Sequence, residues 1–242
     1  MICKLCKNDK ELRNSHIIPE HIYGSLYNDK HKCIGITADG DSKKLQKGFR
    51  EQLLCNDCEQ FLNDKYEKYF FNFWIKNNTL PSDITSDHLI VQIDNYLKFK
   101  LYHFSILFRA SVSSHAFFSG VFLGAHEEII RSMLLNESDN KNYTLFGTII
   151  CNNNNKIEDR IIVQPGKKRY AGHIVYQMIY AGCAWYLKVS NHRCKDIEEF
   201  CLKPDGKLQL TVDKMHEFAE IINIHNALNT NENSKQKQKD KA

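Results

Sequence analysis

No stretch of about 18 consecutive apolar residues occurs in the 242-residue chain, so no transmembrane helix is expected. The opening MICKLCKNDK turns polar within a few residues and lacks the apolar core of a secretory signal. The expected location is therefore cytoplasmic, with no membrane partner. Charge of one sign is not in large excess: the net charge is +4 and the pI about 8.5, a mild lean toward a nucleic-acid partner. Part of that excess belongs to 229–242, NTNENSKQKQKDKA, an aromatic-free polar tail expected to be disordered. There is no internal repeat, no phosphate-binding glycine loop, no GxSxG elbow and no heptad run. These absences exclude a solenoid, a P-loop nucleotidase, a serine hydrolase of that class and a coiled coil.

What remains is ordinary for a globular protein, 42% hydrophobic and 26% charged. The length suits one large domain, or a small module attached to a medium one. Nine cysteines in a reducing compartment read as metal ligands or buried thiols rather than disulfides. Four of them fall in two pairs, Cys3-x2-Cys6 and Cys55-x2-Cys58, which suit four thiolates around one tetrahedral Zn2+. Two intervening residues let a tight turn present both sulfurs to one ion. The second pair opens a predicted helix, whose N-terminal dipole favours thiolate. Cys194-x6-Cys201 with His192 nearby fits no tetrahedral spacing and reads as buried thiols.

Apolar periodicity predicts a helix over 57–77, with Phe61, Leu62, Tyr66, Tyr69, Phe70 and Phe73 on one stripe. TLPSD at 79–83 breaks it. A second helix is predicted from a Ser86 cap through Leu89, Ile90, Ile93, Leu97, Leu101, Phe104 and Phe108, and a third over 125–136. The β-branched and aromatic runs 143–151, 159–165, 172–180 and 183–189 predict an antiparallel meander, turning at NNNNK (152–156) and YAG (180–182). A closing helix over about 213–228 would align Met215, Phe218, Ala219, Ile222 and Leu228. The expected fold class is α+β. Residues 1–78 form a zinc-binding module, 79–228 a recognition or partner domain, and 229–242 the tail.

The stretch RNSHIIPEH (13–21) carries the functional signal. Cys3-x2-Cys6, then HIIP, then LLCNDCE leading into a helix, resembles the HNH family of ββα-metal, treble-clef endonucleases, and in particular a divergent bacterial subgroup with SHIIP and LLCxxCE found in phage-defence settings. The resemblance covers roughly residues 1–75. It implies a treble-clef module with structural zinc and a catalytic Mg2+ or Mn2+. It makes His16 the general base that activates water. Glu59, directly after the last cysteine, takes a metal-ligand position. Ser15 stands where the family carries an Asp or His ligand, and His21 is a candidate replacement. Arg50 stands where an Asn would orient the base, leaving Glu51 and Gln52 as nearby alternatives.

Two basic stretches are candidates for phosphate contact. SKKLQKGFR (42–50) adjoins the histidine segment and offers Lys43, Lys44, Lys47 and Arg50; PGKKRY (165–170) offers Lys167, Lys168 and Arg169 at an expected hairpin tip. The expected function is metal-dependent hydrolysis of nucleic-acid phosphodiester bonds, DNA in the first instance, with a protein partner able to use the C-terminal domain. The competing expectation is a non-catalytic zinc-knuckle module that binds nucleic acid or protein. A third is a defence effector activated only by a partner.

Overall fold

The computed structural model describes residues 1–27, 32–36, 42–46, 48–219 and 221–222, with 32–36 and 42–46 described by their backbone alone. Strands β1 (Leu12–His16) and β4 (Arg50–Cys55) pair antiparallel, so that Leu12 faces Cys55, Ser15 faces Glu51 and His16 faces Arg50. A bulge between Arg13 and Asn14 shifts the register partway along. The chain between them makes a 3-10 turn at Glu20–Tyr23 and a second antiparallel pair, β2 (Lys32–Ile36) with β3 (Ser42–Gln46). β4 passes directly into a continuous helix over 56–76, termed α1, which matches the 57–77 span expected from the sequence to within a residue at either end.

In α1, α-helical turns at Asn56–Leu62 and Lys68–Phe70 alternate with π-helical turns at Asn63–Glu67 and Phe71–Lys76. The buried residues explain why. Leu62, Tyr66, Phe70 and Trp74 recur at every fourth position and are all nearly inaccessible. A regular α-helix, at 3.6 residues per turn, rotates such a series by about 40° per step. The wider π turns absorb that drift and keep the four side chains in one line.

The second helix, α2 (Tyr96–Val112), begins nine residues later than the Ser86 cap predicts. Its cap is Asn95, whose Oδ1 accepts the Lys98 N–H at 3.0 Å. His88–Gln92, which the periodicity assigned to this helix, is strand β5. The third helix, α3 (His126–Leu135), lies within its expected span.

The main sheet has six strands in the order β5-β10-β6-β9-β8-β7. Here β6 is Thr144–Cys151, β7 Val163–Tyr170, β8 His173–Tyr180, β9 Cys183–Lys188 and β10 Lys207–Lys214. The pairs β6–β9, β9–β8 and β8–β7 are antiparallel, but β6 lies beside β9 instead of β7, so the strand order is not that of the expected meander, and the expected 159–165 strand begins only at Val163. β10 pairs parallel to β6, so the sheet is mixed. Residues 213–214 end β10 and Met215–Glu217 form a 3-10 turn, in place of the start of the predicted closing helix. Within that span 219, 221 and 222 are helical, while 220 and 223–228 lie outside the described residues, as does the 229–242 tail. PGKKRY is not a hairpin tip: it lies within β7, and the turn falls at Ala171 and Gly172. That turn and the expected one at Ala181 and Gly182 both carry positive φ at each residue, the two-residue geometry that matches strand twist.

The molecule is a mixed α+β fold with one main sheet and few helices. Its principal buried cluster runs from Cys3 to Leu210 and is continuous across position 78. The centre of that cluster is aromatic. Phe70 of α1 stacks on Tyr102 of α2 at 4.0 Å between centroids, and Trp74 and Phe99 both meet Trp185 of β9. Phe70→Ala removes the middle of this stack. It is expected to lower unfolding stability by about 3–5 kcal/mol, read from denaturant titration. Phe122→Ala, which trims a ring 76% exposed, should cost under about 0.5 kcal/mol in the same measurement.

Candidate metal centre and the histidine beside it

The N-terminal turn is closed by Lys7, whose N–H reaches the Cys3 carbonyl at 2.9 Å and whose φ is 62°. A strand–helix junction supplies the second pair, Cys55 ending β4 and Cys58 in the first turn of α1. The Lys4 N–H bonds the Leu53 carbonyl at 3.0 Å and fastens the two halves together. The sulfurs of Cys3, Cys6, Cys55 and Cys58 all lie within 4.8 Å of one another, and those of Cys6 and Cys55 are 3.9 Å apart. Zn–S bonds of about 2.3 Å in a tetrahedron require sulfurs about 3.8 Å apart. A disulfide requires about 2.05 Å. The geometry is that of a metal site, and the four cysteines fit an ion such as zinc.

The backbone prepares the sulfurs for that ion. The Cys55 N–H donates to Cys3 Sγ at 3.3 Å. Burial works against the Cys3 thiolate, but the N–H groups of Cys55, Cys6 and Leu5 outweigh it and bring the thiol down to about 7. Burial pushes the Cys58 thiol well up, reinforced by the neighbouring sulfurs. Four thiolates this close repel one another without a cation between them. Among the described residues these four are the one group of three or more side chains placed to share an ion. Cys194 and Cys201 are buried beside Ile197, as expected of core thiols.

His16 ends β1 with 19% of its side chain exposed. Its Nε2 meets two partners: Arg50 Nε at 2.9 Å, and a carboxylate oxygen of Glu20 on the following 3-10 turn. Arg50 also reaches Glu20, Nη2 to Oε2, at 3.3 Å. Arg50 thus sits on His16, at the cross-strand position. Glu51 is engaged elsewhere: its carboxylate accepts from the hydroxyls of Ser113 and Ser114 and from the Ser114 N–H. Gln52 is exposed. Ser15 points inward, where its Oγ accepts the Leu54 N–H at 3.2 Å.

Behind the strand lies a charge that sequence patterning does not single out. Arg109 of α2, 1% exposed, donates from Nη1 to the His16 carbonyl at 2.9 Å and pairs with Glu67 of α1 at 2.8 Å. Burial and the nearby charge of Glu59 push the Glu67 carboxyl up, against the pull of Arg109. Glu59 itself has a buried Oε1 with no hydrogen-bond partner. The available signals were Arg109 as a lone charge inside the apolar run FSILFRA, and Glu20 four residues after His16.

His21 lies among rings, within 6.3 Å of Phe70, Phe71 and Tyr102 by centroid, with Nε2 3.2 Å from the Tyr102 hydroxyl. It borders a cavity of about 450 Å3 also lined by Trp74, Asn78 and Asp159. Burial first, then the positive charges of Arg109 and His16, push its ring down to about 4. The side chains of Lys43 and Lys44, and all of Lys47, lie outside the described residues. Lys167, Lys168 and Arg169 are exposed on β7, an edge strand.

No family model matches this chain, and neither any curated protein nor any solved structure is significantly similar to it.

Purified protein should contain one zinc per chain by elemental analysis, and Cys55→Ser should lose it together with the native fold of at least residues 1–76. Metal-free, fully folded protein would refute the site. His21 gives a separate expectation. Its folded pKa lies below the unfolded value of about 6.5, so the unfolded chain binds more protons in between. Stability should therefore rise from about pH 4 to about pH 6.5, by on the order of 3 kcal/mol from this residue. His21→Phe should flatten that part of the stability–pH curve.

Proposed function

We propose that this chain is a zinc-knuckle nuclease, hydrolysing phosphodiester bonds of nucleic acid at His16 in the manner of HNH-like endonucleases, with a treble-clef arrangement of its N-terminal module. The observation that carries the reading is the position of His16: a partly exposed imidazole at the end of a strand whose partner strand leads into a four-cysteine cluster, with an arginine and a carboxylate on the same ring nitrogen.

The two partners suit two protonation states. Bare Nε2 accepts the Arg50 N–H; protonated Nε2 donates to Glu20. A substrate phosphate draws the Arg50 guanidinium to itself, since charge-assisted bidentate pairing favours it. Nε2 is then released to take a proton from the attacking water. Glu20 holds the resulting imidazolium, and Arg50 meets the charge growing on the phosphate. The Arg109 bond to the His16 carbonyl fixes the backbone from which the ring projects.

The Mg2+ or Mn2+ implied by the resemblance would supply charge stabilisation at the leaving oxygen. The described side chains do not enclose it, since the cysteine cluster alone gathers three or more potential ligands. Glu59, with its unpartnered oxygen, is the residue of the motif available to such an ion. Proton transfer and phosphate binding rest on His16, Glu20 and Arg50. The second reading, a zinc-knuckle binding module without catalysis, is favoured by Ser15, whose hydroxyl is committed to the backbone and offers no ligand beside His16.

Plasmid nicking with Mg2+ or Mn2+ separates the two readings. His16→Ala should slow cleavage by about two to four orders of magnitude, with zinc content and unfolding midpoint unchanged. Added Mn2+ should partly rescue Glu59→Ala and leave His16→Ala inactive. If wild type fails to cleave with either ion even with its natural partners present, or His16→Ala cleaves equally well, the binding module is the favoured reading.

A further inference from the structure

The six-stranded sheet has two faces, and their side chains differ in kind. Trp185 of β9 and Tyr180 of β8 pack on Phe99 and His103 of α2. The alternate residues Phe146, Thr148, Val175 and Tyr186 point the other way. That second face is covered at one end, where Phe218 and Ile221 pack on Ile150, Val163, Ile179 and Ala184. It is covered again where Cys194, Ile197 and Cys201 pack against Phe146. Between these covers lies a groove of about 380 Å3.

The groove's walls combine four aromatic rings, Phe146, Tyr170, Tyr186 and Phe200, with two cations. Phe146 and Tyr186 lie nearly parallel, 13° apart with centroids at 4.9 Å. Tyr170 stands 6.2 Å from Phe146 at 56°, and is 48% exposed. Lys168 and Arg169 line the same groove, and no Asp or Glu is among its described lining residues. Gln209 and the hydroxyls of Thr148 and Thr211, 2.7 Å apart, add donors and acceptors. Cations on an edge strand also discourage strand-to-strand aggregation. Edge protection would account for Lys167, Lys168 and Arg169; it does not account for an open aromatic wall beside them.

We propose that this groove is a second binding site, for single-stranded nucleic acid, whose bases stack on Tyr170, Phe146 and Tyr186 while Arg169 meets the phosphates. Rings stack on bases of any sequence, and cations alongside track the backbone. In a duplex the base faces are already occupied by their neighbours, so the groove selects unpaired strands. The exposed Arg169 in the lining favours an anionic ligand, and the exposed ring favours a flat one. This site is independent of the chemistry at His16 and stands whether or not His16 cleaves.

The test is fluorescence anisotropy of a labelled oligothymidylate with the full chain, in buffer free of divalent ions and chelators. Wild type and His16→Ala should bind alike. Tyr170→Ala should weaken binding by about 5- to 100-fold, and Tyr170→Phe, which keeps the ring, should not. Arg169→Gln should reduce the dependence of binding on salt by up to about one slope unit. Tyr170 is exposed, so the unfolding midpoint of Tyr170→Ala should match wild type and exclude misfolding as the cause. No oligothymidylate binding by wild type would overturn the proposal. So would undiminished binding by Tyr170→Ala, or loss of binding in His16→Ala. Displacement by polyglutamate as effective as by unlabelled oligonucleotide would overturn it too, since the groove would then read charge without stacking.

Discussion

One buried guanidinium holds the histidine strand to the helices. Arg109 reaches from α2 to the backbone of His16 and to the carboxylate of Glu67 on α1, so three elements meet at one side chain. Its own helix contributes as well, through the Ser105 carbonyl at 3.3 Å. A charge taken this far from water is tolerable only with such partners, and losing one of them typically costs about 3–5 kcal/mol. The arrangement gains directional definition for that cost. Hydrophobic contact would let β1 slide against α2 with little penalty, whereas a planar donor with fixed acceptors does not.

Further polar contacts extend the same logic to the metal centre. Arg131 of α3 donates to the Leu5 carbonyl at 2.7 Å, inside the turn that carries Cys3 and Cys6. Glu51 of β4 binds the serines that follow α2. Lys10 pairs with Asp57 at 2.7 Å beside the second cysteine pair. The cysteine cluster is therefore braced from several directions, and changes in its ligation are felt in the helices as well as in the turn that carries it.

The sequence made the cysteine pairing legible because a two-residue spacing repeated twice has few other uses, and the four sulfurs do converge. It made α1, α3 and the strands β6, β8 and β9 legible because their periodicity is unambiguous, whereas β7 runs on through the PGKKRY stretch that read as a hairpin tip. It misled at β5, where Leu89, Ile90 and Ile93 satisfy a helical spacing as well as a strand, and pairing with β10 decides in favour of the strand. β10 itself alternates, with Leu208 and Leu210 buried, but its alternation runs into the apolar residues that suggested a closing helix. The site was less legible. Arg50 looked like a phosphate contact, and only the register that sets it opposite His16 reveals its place on the ring. Glu20 comes to His16 by a turn, with only its four-residue spacing as a signal, and Arg109 by tertiary packing, which no local spacing encodes.

The buried cluster that passes without a break across position 78 bears on how such a chain can be reused. Tyr66, Phe70 and Trp74 belong by position to the cysteine-bearing segment, yet what surrounds them comes from later in the chain: Leu134 for the Tyr66 hydroxyl, Tyr102 and Phe99 for Phe70, Trp185 and the Ala181 carbonyl for Trp74. Cut free at 78, the segment would carry a row of bare rings into solvent. It is not a cassette that recombination can graft onto an arbitrary neighbour. Wherever these first residues travel, a helix and a sheet shaped to receive that row must travel with them.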